Sequence, residues 1–111
     1  MEIYIARSIK NVDLTNILYE HLHNMDLHAR SFIDEFPHGN LRECEEYDEE
    51  HEIDFDLVIY VDAYVDEDVF KRGVYYEIKT QFVFPDWDGE RVYGWWQNYD
   101  ILLKFIHIIS K

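Results

Sequence analysis

The run Ile53-Asp54-Phe55-Asp56-Leu57-Val58-Ile59-Tyr60-Val61-Asp62-Ala63-Tyr64-Val65 decides how this chain is read. Apolar residues recur at every second position, and Asp54, Asp56, Val58, Tyr60, Asp62 and Tyr64 fill the alternate ones. Period two over thirteen residues predicts a long strand with one face in the core and the other in water. Val74, Tyr76, Ile78, Thr80, Phe82 and Phe84 repeat the pattern downstream. The stretch between the two runs is too short for a parallel crossover, so they are predicted to form an antiparallel hairpin. Pro85-Asp86-Trp87-Asp88-Gly89 reads as the next turn, with Asp-Gly its strongest part, and Arg91 to Trp96 as a third hairpin strand.

Working outward, Glu2 to Ala6 reads as a short strand with Ile3 and Ile5 on one face and Tyr4 on the other. Asp13 then caps a helix whose apolar positions are Leu14, Ile17, Leu18, Leu22, Met25, Ala29, Phe32, Ile33 and Phe36. Pro37 ends it, with an earlier break near Asn24 as the alternative. Residues 42–52 show no apolar periodicity and repel one another, which predicts an acidic loop. Asn98 or Asp100 caps a final helix, because a helix brings Lys104, His107 and Lys111 together whereas a strand would separate Lys104 from His107. The predicted fold class is α+β: a three- to four-stranded, mainly antiparallel sheet with an N-terminal-half helix and a C-terminal helix packed on one face. At 111 residues, the chain is expected to be a single acidic domain spanning 1–111.

Charge is the most informative feature of the composition. Asp and Glu number 24 against ten Lys and Arg, a formal net charge of −14. Thirteen of those acids lie between Glu43 and Asp68, a stretch with no Lys or Arg. The other 85 residues carry eleven acids and ten bases. Such segregation argues against halophilic adaptation, which would coat the whole surface. Direct binding to nucleic acid or to an anionic membrane needs a basic footprint and is excluded. An aromatic content of 17% excludes a wholly disordered acidic chain. The expected partner is a basic protein, such as a nuclease or another nucleic-acid-binding effector. The lone Cys44 cannot form an internal disulfide, no secretory leader is legible, and no apolar run is long enough to span a bilayer. A soluble protein of the host or bacterial cytosol is expected.

The outward face of the long strand would set Asp54, Asp56, Tyr60, Asp62 and Tyr64 about 6.6–6.8 Å apart, of the order of the spacing between phosphates. Glu45, Glu46, Asp48, Glu49 and Glu50 in the acidic loop would extend that array. Interleaved tyrosines suit an interface. These ten residues are the candidate partner-binding set. The plainer alternative is an ordinary solvated sheet face.

Signs of catalysis are sparse. Glu77-Ile78-Lys79 resembles the Glu-x-Lys element of metal-dependent nucleases of the restriction-endonuclease-like fold. That resemblance implies an upstream acid, Asp62, holding Mg²⁺ with Glu77, Lys79 assisting the nucleophile, and Glu20 as a further member. The usual Pro-Asp should precede the motif, but here Pro85-Asp86 follows it, and cross-strand pairing explains the same residues. His21 and His23 lack the spacing of a zinc pair. Cys44 sits among acids that disfavour a thiolate. Trp87, Trp95 and Trp96 with Tyr93 and Tyr99 fit core packing or a protein interface better than a base-stacking platform. No catalytic residue, metal or cofactor is expected. In size, acidity and lack of a catalytic motif, the chain is similar to small phage anti-defence proteins (anti-CRISPR and anti-restriction types) and to toxin-immunity proteins. The expected function is a non-catalytic acidic inhibitor that blocks a basic, nucleic-acid-binding surface. The alternative is a degenerate metal-dependent nuclease.

Overall fold

The fold is known from a computed structural model that describes residues 1–61, 78–83, 91–96 and 99–110. Its parallel core is built around the strand β1 (Ile3–Ala6), all four residues of which are buried. β1 pairs in parallel with both neighbours, β2 (Ala29–Ser31) on one side and β3 (Leu57–Tyr60) on the other. β4 (Ile78–Val83) then pairs antiparallel with β3, and β5 (Arg91–Trp96) antiparallel with β4. The strand order is β2-β1-β3-β4-β5.

This overturns the predicted three- to four-stranded, mainly antiparallel sheet, because its core is the parallel trio β2-β1-β3. The physical reason lies in which faces are covered. Ile3, Ile5, Leu57 and Ile59 pack with Leu14, Leu18 and Leu22 of the helix α1 (Val12–Asn24) and with Leu102 and Ile106 of the C-terminal helix (Tyr99–Ile109). On the opposite face, Tyr4, Ala6, Phe55 and Val58 form a second cluster, closed by Tyr47 and Tyr60. Tyr47 belongs to a helix at Leu41–His51. Helices therefore cover both faces rather than one, the setting in which parallel strands occur and in which their sequences run continuously apolar. Val58, assigned by alternation to the solvent side, is fully buried.

Three further corrections follow. The first helix ends at Asn24, the earlier of the two ends read from the sequence, and its cap is Asn11 rather than Asp13, the Asn11 side chain accepting the Leu14 N–H at 3.1 Å. Its exit is a Schellman turn: Asp26 N–H donates to His23 O at 3.0 Å and Leu27 N–H to Leu22 O at 2.9 Å. Asp26 takes the left-handed conformation there, φ 59°, which Asp tolerates better than most residues. The reversed chain then supplies β2 and a single helical turn, α2 (Phe32–Glu35), from residues that read as the rest of α1.

Secondly, most of the predicted acidic loop is the helix α3 (Leu41–His51), followed by one 3-10 turn at Glu52–Asp54. Thirdly, β3 begins at Leu57 rather than Ile53. The part of the predicted strand beyond Val61 lies outside the described residues, as do residues 74–77 and 84 of the second predicted strand and the turn at Pro85–Gly89. The C-terminal helix, α4, matches the expected helix from about Asn98.

Candidate protein-binding surface

α3 forms although its own side chains oppose it. Glu45 with Glu49, and Glu46 with Glu50, are like charges one turn apart, each pair costing about 0.2–0.5 kcal/mol in an isolated helix. Glu49 and Glu50 also crowd the negative end of the helix dipole. Opposing this, the Asn40 side chain caps the helix by accepting the Glu43 N–H at 2.9 Å, and Arg42 pairs with Glu46 at 3.4 Å. Tyr47 and His51 stack one turn apart with ring centroids 3.9 Å apart. The decisive support is tertiary: Tyr47 closes the second core cluster, and Cys44 and Asp48 are buried.

Among the described acids of the segment, Asp48 is the one that turns inward, with 3% exposure. It accepts the Tyr4 hydroxyl at 2.5 Å and the Arg7 N–H at 2.9 Å, just beyond the carboxyl end of β1. The Cys44 thiol lies 3.6 Å away. Burial raises the Asp48 pKa, and the bonds from Tyr4 and Arg7 act against that rise. The Tyr4 phenol is held far above its usual range, first by burial and then by Asp48. Burial, with the Asp48 charge second, pushes the Cys44 thiol up to about 11, so it is a poor nucleophile. Asp48 was expected in the partner-binding set; an interior acid with three donors belongs to the framework instead.

The other members of the set divide by environment. Glu46, Glu49, Glu50 and Asp54 are exposed. Glu45 is half-buried and reaches the Arg7 guanidinium at 3.5 Å. Asp56 accepts the Glu2 N–H at 2.8 Å, which ties down the start of β1. Tyr60 is half-buried, with its hydroxyl donating to Glu52 at 3.1 Å. Asp62 and Tyr64 lie outside the described residues. The array expected on one strand face therefore does not stand on β3, whose second face packs beneath α3. The exposed carboxylates lie instead on α3 and the turn after it, joined by Glu43, and Ile53 is 66% exposed beside them.

Phe32, Phe36, Glu43 and Tyr47 were not singled out as site residues. With Glu46 and Glu50 they line a groove of about 200 Å³ beside α3. The legible signal was the three-and-four spacing of Cys44, Tyr47, Asp48 and His51 after a capping Asn40.

Among the described residues, no three His, Cys, Asp or Glu side chains are grouped to hold a metal ion. Glu20 is exposed on α1. Lys79 is in register with Tyr60, whereas Glu77 and Asp62 lie outside the described residues. Trp96 lies over Phe105 with ring centroids 4.9 Å apart and packs against the first core cluster. No described helix is long and apolar enough to cross a membrane. No family model, curated protein or solved structure matches the chain.

Proposed function

We propose that this protein is a non-catalytic inhibitor whose acidic surface occupies the basic, nucleic-acid-binding surface of a partner protein. It would act in the cytosol, as phage anti-defence proteins and toxin-immunity proteins do. The carrying observation is the outer side of α3, where Glu43, Glu46, Glu49 and Glu50 are exposed on a helix that their mutual repulsion weakens. An inward-facing acid such as Asp48 has a structural explanation, and Glu46 has a pair with Arg42, but Glu49 and Glu50 at the negative end of the helix have none. A cationic partner would relieve their repulsion, so the complex gains from a feature that costs the free protein stability. Complementary fields of this kind mainly speed encounter and exclude wrong partners.

The test is binding kinetics with the basic protein captured from host extract and then purified, across a salt series. The on-rate should fall steeply from low to physiological salt and the off-rate much less, and duplex DNA should compete. Changing Glu46, Glu49 and Glu50 together to Gln should mainly slow association. A salt-independent on-rate, with the variant as tight as wild type, would reduce α3 to a solvated surface and end this reading. The nuclease alternative rests on Asp62 and Glu77, outside the described residues, and gains no separate argument.

A further inference from the structure

The groove beside α3 combines two kinds of wall. One is aromatic: Phe32 and Phe36 stack at 5.2 Å, and Tyr47 meets Phe36 edge-on at 5.7 Å. Phe36 remains 45% exposed although it packs on a buried ring. The Tyr47 hydroxyl is tied to Glu35 at 2.7 Å, which steadies its ring. Gly39 lies so close that a Cβ there would sit 2.2 Å from Phe32 Cζ, so the wall depends on a residue without a side chain. The other wall is anionic, built from Glu43, Glu46 and Glu50. Among the described residues, Glu46 alone of these three pairs with a cation, Arg42, in an exposed pair of the kind that exchanges readily.

The carboxylates are spread along the helix. The first and last, Glu43 and Glu50, are seven positions apart, about 10.5 Å of helix rise. That spread suits a guanidinium, whose five donors point in several directions, better than one metal ion, whose oxygen ligands must converge within about 2.3–2.6 Å. A negatively charged strand of nucleic acid is excluded by the same carboxylates.

We infer that this groove takes an arginine side chain presented by the basic partner, its guanidinium plane against Phe36 and its donors on the Glu43, Glu46 and Glu50 carboxylates. This deepens the acidic-inhibitor reading and rests on it. Arginine fits better than lysine for two reasons. Its planar, weakly hydrated cation stacks on aromatic faces, and its fork of donors reaches several carboxylates at once. A lysine ammonium gives up its water less readily and gains little from a half-open groove.

The probes are two fluorescein-labelled peptides of equal charge, one with arginines spaced by Gly-Ser and the other with lysines in their place. Anisotropy gives affinity, and amide shifts in NMR give location. The arginine peptide should bind about two- to fivefold tighter, the scale of an exposed cation–π contact. It should shift the amides of Phe36, Glu43 and Tyr47. Phe36→Leu, which keeps apolar bulk but removes the aromatic face, should abolish the preference. Paired Glu49→Gln and Asp54→Asn changes, outside the groove lining, should weaken both peptides alike and keep the preference. Equal affinity for the two peptides, or a preference that survives Phe36→Leu, overturns the arginine groove. The acidic-surface reading still stands in that case if both peptides bind in a salt-dependent way. If neither peptide binds even at low salt, both readings are overturned.

Discussion

Replacing Tyr4 by Phe removes one buried hydroxyl and leaves the ring packed against Phe55 and Tyr47. That hydroxyl is a donor to Asp48 at 2.5 Å, and both residues are almost fully buried. A hydrogen bond to a charged group is worth about 1.5–3 kcal/mol, against about 0.5–1.5 for a neutral pair. The larger figure applies while Asp48 is ionised. At about 2.1 cal/mol/K of unfolding entropy per residue, a chain of this size loses roughly 4 °C of Tm per kcal/mol, so Tyr4→Phe should lower Tm by roughly 6–13 °C at neutral pH.

The pH dependence sharpens the test. Burial holds the folded pKa of Asp48 above its ordinary value of 3.8. Wild-type stability from this group therefore falls as pH rises from there through the folded pKa, and is flat above it. The Tyr4 bond favours the carboxylate, so deleting it raises the folded pKa further and extends that loss to higher pH. The cost of Tyr4→Phe should thus be small in acid, where Asp48 is protonated in both proteins, and grow as pH rises. Urea unfolding of both proteins at several pH values measures it, with the Asp48→Asn background closing a double-mutant cycle. A cost that does not vary with pH, or one below about 0.5 kcal/mol at neutral pH, would refute the buried charge-assisted bond.

Two further outcomes are expected. Glu49→Gln with Glu50→Gln should stabilise the free protein by about 0.2–0.5 kcal/mol per relieved like-charge pair; a gain in urea midpoint at low salt that shrinks at high salt checks it, and a loss would mean that these acids support α3. Cys44, buried and with its thiol pushed up to about 11, should react with a thiol reagent at pH 8 only as fast as the protein opens, so rapid labelling of the native protein would place it at the surface.

Properties carried by neighbouring residues were legible from the sequence alone. Ile3 and Ile5 face one core and Tyr4 the other, as their alternation implies. Leu14, Leu18 and Leu22 keep a buried stripe on α1 because their spacing follows the helical turn. The concentration of acids after Glu43 is a matter of counting. Tertiary structure decided everything that depends on what lies opposite. Leu57-Val58-Ile59 fits either an alternating strand or one covered on both faces, and only α3 packed over Val58 selects the second. Residues 29–31 look helical beside α1, until the left-handed turn at Asp26 frees them to pair with β1. Asp48 is indistinguishable in sequence from the acids around it; its role comes from Tyr4 and Arg7, more than forty residues away along the chain. Local repulsion along α3 argues correctly against an isolated helix, but burial of Cys44, Tyr47 and Asp48 outweighs it. Because that burial is a long-range contact, no window of sequence contains it.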